Sequence, residues 1–364
     1  MKRINVLIVF ILLFVFLSSC KNDLFENPFP SEIVKGCYVV NYGNFGSGGA
    51  SISKYDYETS EMSNFFYQAQ NNGLELLSNI QYTYFYNDSI FLIANEPDQL
   101  IVVNPLFKQT QNGVSENLAK PRYCIASGNY LYISCWGENP DWSIMPDSHI
   151  AKYNISSGLV EKTIPLPGGP EGLEVVGKYL YAALNYKDSV AVIDFNNEQV
   201  SYIETPSVTS YFVKDKQNNL YVTLLSTYAN YSDQTGIGFI NTTTNILEEI
   251  YNLDNVSSGY GSIMKANASL SKIYITTSSY DANWNLTGAV AELDIAGKTF
   301  ASENIINDIS GISGIAVNPF DENVYVFAAE SAIGIGLMKI YSKSGNLINE
   351  YEVGSSPIDA LFLN

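Results

Sequence analysis

The sequence predicts an all-β protein, a seven-bladed β-propeller with four antiparallel strands in each blade. Three observations predict it: short apolar segments separated by turn residues, one motif repeated at the spacing of propeller blades, and a C-terminal strand that has no blade of its own. The clearest copy of the repeat is 170–203, where turns at 177–178, 185–188 and 196–198 separate four segments of strand length. The 27 Tyr and 18 Phe of the chain suit the surfaces of β-sheets.

The second strand of each predicted blade carries the most regular motif, an aromatic residue flanked by apolar ones. Its seven copies are centred on Tyr38, Phe91, Tyr132, Tyr181, Tyr221, Tyr274 and Tyr325. The intervals between them are 40 to 53 residues, and propeller blades repeat at about 40 to 50 residues. Most third strands end in Asp or Asn, whose side chains favour a turn into the fourth strand.

The two ends of the repeat series predict how the ring closes. The first unit has no strand before Cys37, whereas Pro357–Leu363 is a strand without a unit of its own. We expect this last strand to become the inner strand of the first blade, because a closed ring leaves no sheet edge exposed. The propeller then covers residues 36–364.

Residues 1–19 have the pattern of a bacterial lipoprotein signal peptide. A positively charged start and an apolar run of 12 residues, too short to cross a membrane, lead to Leu17-Ser18-Ser19-Cys20. This segment matches the lipobox, in which the cysteine is acylated; an ordinary secretory signal with a chance cysteine is the alternative. We expect Cys20 to carry the lipid and residues 20–35 to form a flexible tether, so that the chain meets the membrane only through its lipid anchor.

Composition and cysteine positions exclude some functions and leave others open. The formal net charge is −18, and no cluster of Lys and Arg is present to follow a phosphate backbone, which argues against nucleic-acid binding. The remaining cysteines are Cys37, Cys124 and Cys135. Buried free thiols are favoured, and a Cys124–Cys135 disulfide is the alternative. No residue spacing suits a zinc site or a calcium loop.

Loops at one face of the predicted propeller are rich in aromatic residues, although exposed loops are usually polar. The connections from second to third strands emerge at this face, and four of them are long: 43–49, 137–147, 226–235 and 279–287. We expect these loops and their bases to form a binding rim of flat apolar surfaces with amide partners. The residues of this rim are Tyr42, Asn44, Phe45, Trp136, Trp142, Asn185, Tyr186, Tyr228, Tyr231, Tyr280 and Trp284. The alternative is that the aromatic residues only hold the long loops against each other.

Polar residues at the starts of the inner strands are predicted to ring the mouth of the central channel. These are Arg122, Glu171, Ser262, Ser313 and Asp359. A polar funnel filled with water, as in most propellers, explains them equally well. We include Arg122, Glu171 and Asp359 among the candidate ligand-binding residues.

Catalytic signals are weak in this sequence. His149 is the only histidine and falls in a third strand, and no Ser-His-Asp set, P-loop or dinucleotide-binding glycine motif is present. The glycine-rich stretch 43–49 follows a strand but precedes no helix that could receive a phosphate. We therefore expect a protein that is not an enzyme and that uses no cofactor or metal.

The repeat and its opening segment resemble a known family. Residues 41–51 (NYGNFGSGGAS), followed by Tyr55 and Asp56, are similar to the first blade of Bacteroidetes surface lipoprotein propellers of the YncE-like, YVTN-repeat and DUF5074-like kind. Acidic residues behind Cys20 resemble the export signal that sends such lipoproteins to the outer face of the outer membrane. The family includes lipoproteins that capture vitamin B12 above a TonB-dependent cobalamin transporter.

The resemblance and the rim together predict a lipid-anchored protein of the outer membrane, exposed at the cell surface, that captures a scarce small molecule. The resemblance implies a corrinoid such as vitamin B12 as ligand and a TonB-dependent outer-membrane transporter as partner. A scaffold that binds a protein or a glycan at the same face is the alternative. A propeller enzyme of the lactonase or quinoprotein kind is the third hypothesis, against which the single histidine argues.

Overall fold

The computed structural model describes residues 35–44, 48–138, 141–257, 261, 263–331 and 334–364. Within these residues the chain forms seven antiparallel sheets arranged in a ring, which is a seven-bladed β-propeller. The fold predicted from the sequence is confirmed. The predicted signal peptide, Cys20 and nearly all of the tether lie outside the described residues, and so do Phe45 of the rim and Ser262 of the channel mouth.

Residues 36–165 contribute ten strands and one short helix to blades 1 to 3, and the fourth strand of blade 1 comes from the end of the chain. Blade 1 contributes β1 (Gly36–Asn41), β2 (Ser51–Tyr55) and β3 (Met62–Ser63), followed by the helix α1 (Phe66–Gln70). Blade 2 contains β4 (Asn79–Tyr86), β5 (Ser89–Asn95) and β6 (Gln99–Val103). Blade 3 contains β7 (Pro121–Ser127), β8 (Tyr130–Cys135), β9 (His149–Asn154) and β10 (Leu159–Pro165). In the described part of the chain, no helix has the length and apolar content to cross a membrane.

Blades 4 to 7 each contain four strands. Blade 4 consists of β11 (Pro170–Val176), β12 (Tyr179–Leu184), β13 (Ser189–Asp194) and β14 (Val200–Glu204). Blade 5 consists of β15 (Val208–Lys214), β16 (Leu220–Leu225), β17 (Gly236–Asn241) and β18 (Ile246–Asn252). Blade 6 consists of β19 (Met264–Ala266), β20 (Lys272–Tyr280), β21 (Leu286–Asp294) and β22 (Thr299–Ser310). Blade 7 consists of β23 (Ile312–Val317), β24 (Val324–Ala328), β25 (Gly336–Tyr341) and β26 (Leu347–Val353), and the chain ends in β27 (Pro357–Leu363).

The inner strands of the blades contact one another in order around the ring. The contacts run from β27 through β4, β7, β11, β15, β19 and β23, and then back to β27. β27 also pairs antiparallel with β1, from Gly36 opposite Leu363 to Asn41 opposite Pro357. This is the ring closure that the two ends of the repeat series predict.

Blade 2 departs from the four-strand pattern. Its sheet contains only β4, β5 and β6 among the described residues. In place of a fourth strand, Gln109 and Val114 form isolated bridges to Val103 and Leu100 of β6. The side chain of Asn71, just after α1, bonds to the backbone of this irregular segment, accepting from the N–H of Gln109 at 2.8 Å. The outer edge of blade 2 is therefore covered by a loop and α1 instead of a regular strand.

The hydrophobic core lies between neighbouring blades. The aromatic residues of all seven motif copies are buried. Tyr132 of blade 3, for example, shares a core cluster with Leu173 and Leu180 of blade 4. Because a central strand has a neighbouring blade against each of its faces, it needs apolar side chains at successive positions. This requirement explains why the second-strand motif is the most regular signal in the sequence.

The cysteines of the described residues are buried free thiols. They are Cys37, Cys124 and Cys135, and burial raises the pKa of each thiol. Cys124 pairs opposite Ile133, and Cys135 opposite Pro121, so that the two cysteines are not cross-strand partners. The expectation of buried thiols is confirmed, and the Cys124–Cys135 disulfide is wrong.

Glycines allow the inner strands of blades 6, 7 and 1 to approach closely. A Cβ atom at Gly314 would lie 2.1 Å from the carbonyl oxygen of Ile358. A Cβ atom at Gly261 would lie 2.3 Å from the carbonyl oxygen of Ser313. Any larger residue at either position would push these strands apart, so the close packing against β27 depends on glycine.

The substitution Ile358→Ala tests how much the closing strand contributes to stability. Ile358 is 1% exposed and belongs to the core cluster that contains Tyr38. Its truncation is expected to lower the free energy of unfolding by about 2–5 kcal/mol. Ile348→Ala, on β26, is the matched control, because this side chain is 50% exposed and its truncation should cost less than about 0.5 kcal/mol. Urea unfolding followed by circular dichroism measures both, and equal effects would contradict a core role for β27.

Candidate functional site

A β-bulge near the start of most inner strands determines which side chains reach the channel mouth. The pairing register shifts within the first few residues of β4, β7, β11, β15 and β23, and at the start of β27. At each shift, one or two residues of the inner strand have no pairing partner on the neighbouring strand. These residues include Gln81, Arg122, Glu171, Ser210, Ser313 and Ile358. A bulge re-aims the skipped side chain. Arg122, Glu171 and Ser210 line one cavity at this face, and Ser313 and Ile358 line another.

The first of these cavities, which we call the channel-mouth cavity, has a volume of about 590 Å³. It lies where the loops after the second strands meet the starts of the inner strands. Its lining residues are Tyr42, Asn95, Glu96, Lys120, Arg122, Trp136, Trp142, Glu171, Asn185, Tyr186, Ser210, Thr227, Tyr228, Ala229 and Tyr280. The volume falls within the range of about 300–1,000 Å³ that is typical of small-molecule sites.

The structure brings nine of the fourteen predicted ligand-binding residues together in this cavity. They are Tyr42, Arg122, Trp136, Trp142, Glu171, Asn185, Tyr186, Tyr228 and Tyr280. Sequence reasoning missed Asn95, Glu96, Lys120 and Ser210, which also line it. Asn95 could have been found, because it ends a second strand at the position that Asn185 and Trp136 occupy just after β12 and β8.

The other predicted residues lie elsewhere. Trp284 lines a second cavity. Asn44 fixes its loop, because its side chain accepts a hydrogen bond from the Ser355 hydroxyl at 3.0 Å. Tyr231 is exposed and donates to Asp233 at 2.7 Å, outside both cavities.

Asp359 does not occupy the channel-mouth position that the sequence predicts for it. Ile358 is the residue skipped by the ladder, and Asp359 is paired opposite Val40. The carboxylate of Asp359 accepts a hydrogen bond from Lys265 Nζ at 2.8 Å and is almost fully buried. The predicted position was wrong by one residue, because Ile358, which follows Pro357 as Glu171 follows Pro170, is the residue that the bulge leaves unpaired.

A buried ion pair joins blades 3 and 4 at the floor of the channel-mouth cavity. Arg122 donates to the carboxylate of Glu171 through Nε at 3.0 Å and through Nη2 at 3.0 Å. Only 11% and 7% of the two side chains are exposed. Burial alone lowers the pKa of Arg122, but the charge and hydrogen bonds of Glu171 outweigh it and hold the pKa above its ordinary value. Arg122 therefore stays charged, and its two hydrogen bonds to Glu171 fix both side chains.

Three aromatic residues form one wall of the same cavity. The Arg122 guanidinium lies 4.2 Å from the ring centroid of Trp136, a cation–π contact. Tyr186 and Trp142 meet Trp136 edge to face, with centroids 5.3 Å and 6.2 Å away. The indole N–H of Trp136 is buried and has no hydrogen-bond partner among the described residues. The wall is thus held by packing from behind.

The second cavity, which we call the blade 6–7 cavity, has a volume of about 550 Å³ and is lined by residues of blades 6, 7 and 1. Tyr42 and Tyr280 line both cavities and so form a shared wall. Over the described ranges, no group of three or more His, Cys, Asp and Glu side chains is arranged to hold a metal ion.

These features define a seven-bladed propeller whose long loops enclose two neighbouring cavities at one end of the channel. The chain belongs to the family described as "Domain of unknown function (DUF5074)", whose profile matches residues 35–357. This match confirms the DUF5074 part of the resemblance that the sequence predicts. No curated protein matches the chain.

Solved structures share the fold at low sequence identity. A quinoprotein alcohol dehydrogenase-like protein from Bacteroides thetaiotaomicron is 18% identical, with a TM-score of 0.66 over 91% of this chain and 79% of that one. A periplasmic gluconolactonase from Pseudomonas aeruginosa is 16% identical, with a TM-score of 0.60 over 91% of this chain and 99% of that one. A candidate 6-phosphogluconolactonase from Bacteroides fragilis is 13% identical, with a TM-score of 0.63 over 93% of this chain and 100% of that one.

These structures correct the expectation that the protein is not an enzyme. Propellers that match more than nine-tenths of the chain are named as a gluconolactonase, as a candidate lactonase and as a dehydrogenase-like protein. The expectation depends on the absence of a local catalytic motif, and that absence has no weight in a fold that such proteins share. At these identities the comparison establishes the common fold and not a reaction for this chain.

The buried ion pair can be tested by substitution. Glu171→Ala is expected to lower the free energy of unfolding by about 3–5 kcal/mol, because it leaves the guanidinium buried without its carboxylate. A double variant, Arg122→Leu with Glu171→Leu, should be less destabilised, since no unpaired charge remains. Glu350→Ala is the control, because the Lys339–Glu350 pair is more exposed and should contribute less than about 1 kcal/mol. Urea unfolding measures the stability of all three variants. A double variant that is less stable than Glu171→Ala would contradict the assignment of a buried ion pair.

Proposed function

We propose that the protein binds a small planar molecule with a hydrogen-bond acceptor group in the channel-mouth cavity. The observation that carries the proposal is the wall around Trp136. This ring is fixed from behind by Arg122, which is itself fixed by Glu171, and from the side by Tyr186. A wall that needs no rearrangement offers a flat ligand an apolar surface at a low entropic cost.

A polar group in the cavity supports a ligand with an acceptor. Lys120 lines the cavity, and its ammonium group lies 3.8 Å from the nearest Glu96 oxygen. Because this distance is longer than a typical hydrogen bond, the N–H donors of Lys120 are able to bind an oxygen of the ligand.

A corrinoid is the particular ligand that the family resemblance implies. A complete corrinoid is too large to enter a cavity of about 590 Å³, so it would have to rest across the mouth on the exposed rings of Trp142 and Tyr228. Smaller planar compounds would enter the cavity itself. The two forms of the proposal therefore differ in which aromatic residues the ligand touches.

We also propose that the protein displays this cavity at the outer surface of the outer membrane. The lipobox at Cys20 and the tether that follows support a lipid anchor. A TonB-dependent transporter is the partner that would accept a captured molecule.

Calorimetric titration tests ligand binding. Nicotinamide, p-aminobenzoate and riboflavin probe the cavity, and cyanocobalamin probes the rim. At least one compound is expected to bind with a Kd below about 1 mM. Trp136→Ala should weaken that binding about tenfold or more, whereas Trp136→Phe keeps a smaller aromatic surface at this position and should have a smaller effect. Each compound that binds is also incubated with the protein and analysed for conversion by chromatography.

The control for this titration is Tyr231→Ala, which removes an exposed ring outside the cavity. It should leave the affinity unchanged. Binding that survives Trp136→Ala, or no binding by any of the four compounds, would refute the proposal. If cyanocobalamin is the one compound that gives no heat of binding, only the corrinoid form of the proposal is refuted.

Metabolic labelling with an alkyne analogue of palmitate tests the anchor. The full chain expressed in a bacterial host is expected to incorporate the label and to fractionate with membranes. Cys20→Ala should abolish both, because it removes the acylated thiol. Cys37→Ala is the control, since that thiol is buried in the propeller and should not affect labelling. Equal labelling of the Cys20→Ala variant would contradict the proposal.

A further inference from the structure

The blade 6–7 cavity is chemically unlike the channel-mouth cavity. Its polar lining consists mainly of hydroxyl groups, contributed by Ser257, Thr276, Ser278, Ser310, Ser313 and Ser356. The hydroxyls of Ser257 and Ser278 are bonded to each other at 2.7 Å, and that of Ser313 donates to the Pro357 carbonyl at 2.6 Å. Each of these oxygens keeps lone pairs that can accept from a ligand. The cavity can therefore exchange several hydrogen bonds with a ligand that is itself rich in hydroxyl groups.

Charge in this cavity is low and of one sign. Among the described lining residues there is no Lys or Arg, and Glu330 is the one carboxylate. The whole chain carries a net charge of −18. A phosphate or carboxylate group would meet no cation here and would be repelled by the surroundings. A neutral ligand is therefore favoured.

Two exposed aromatic rings form the lip of the cavity. Tyr280 is 63% exposed and Trp284 is 81% exposed. Their ring centroids are 6.1 Å apart, and the ring planes are tilted by 55°. They lie at the end of the β20–β21 hairpin, whose strands extend further than those of most blades. Large apolar rings left in solvent beside a polar cavity are typical of a binding surface.

The backbone at Trp284 has a conformation that is unfavourable for a tryptophan. Trp284 has a φ of +64°, in the left-handed region that bulky residues rarely adopt. Asp281 fixes the turn, because its carboxylate accepts from the backbone N–H groups of Asn283 at 2.7 Å and Asn285 at 2.9 Å. Asparagine or glycine would satisfy this conformation with less strain. The hydrogen bonds of Asp281 thus fix the turn that carries the Trp284 ring at the lip of the cavity.

We propose that the blade 6–7 cavity is a binding site for a neutral saccharide of one or two sugar units. The C–H groups on one face of a pyranose ring form an apolar surface that packs against Trp284 or Tyr280. The sugar hydroxyls exchange hydrogen bonds with the serine and threonine hydroxyls that line the cavity. The volume of about 550 Å³ accommodates such a ligand. This site is separate from the proposed planar-ligand site and does not depend on it.

Saturation-transfer NMR and calorimetry test the site with defined sugars. The probes are the methyl glycosides of glucose, galactose and mannose, together with N-acetylglucosamine and cellobiose. Glucose 6-phosphate is the anionic counterpart. At least one neutral sugar is expected to bind, and glucose 6-phosphate should bind at least about tenfold more weakly than the neutral sugars.

Substitution at the lip separates this site from the planar-ligand site. Trp284→Asn is expected to fold with an unchanged or higher Tm, because asparagine tolerates a positive φ, and to weaken sugar binding about tenfold or more. Trp142→Ala is the matched control, since this exposed tryptophan lines only the other cavity, and should leave sugar binding unchanged. Absence of binding by all five neutral sugars, sugar binding that survives Trp284→Asn, or preference for glucose 6-phosphate would overturn the proposal. None of these results would affect the planar-ligand proposal.

Discussion

The structure depends on the pairing of its last strand with its first. A ring of seven sheets buries both faces of every blade only while it is closed, and β27 closes it by pairing with β1. The closing strand is also packed from the inside, because Gly314 lets β23 approach Ile358 to a distance that no side chain would permit. Closure therefore couples the chain ends to the centre of the channel and stabilises all seven blades together.

Closure also places the candidate sites. The inner strands meet at the channel, and their bulges turn residues such as Arg122 and Glu171 towards the same end at which the long second-to-third loops emerge. The floor of the channel-mouth cavity thus comes from rigid strands, and its upper wall comes from loops. A rigid floor and variable loops allow one scaffold to hold different ligands. The two cavities differ in chemistry because different blades contribute their loops.

The sequence predicts the fold well because the second strands are buried on both faces, and residues such as Tyr181 and Tyr274 repeat at blade spacing. It also predicts much of the channel-mouth wall, since Trp136 and Tyr186 stand where polar loops are expected. It places Asp359 wrongly because the bulge of β27 leaves Ile358 unpaired and not Asp359. It cannot separate Trp284 from the other rim residues, because only the three-dimensional arrangement shows that the loops enclose two cavities.

The same geometry explains why the sequence gives no reliable evidence about catalysis. Arg122 and Glu171 are 49 positions apart in the chain, yet their charged atoms are 3.0 Å apart in the cavity. Every site in a propeller is assembled in this way, from loops and inner strands of separate blades. Motifs such as the P-loop are recognisable because their residues lie close together in sequence, and a propeller site does not need that closeness. The chemistry of this protein has to be inferred from which blades meet at each cavity.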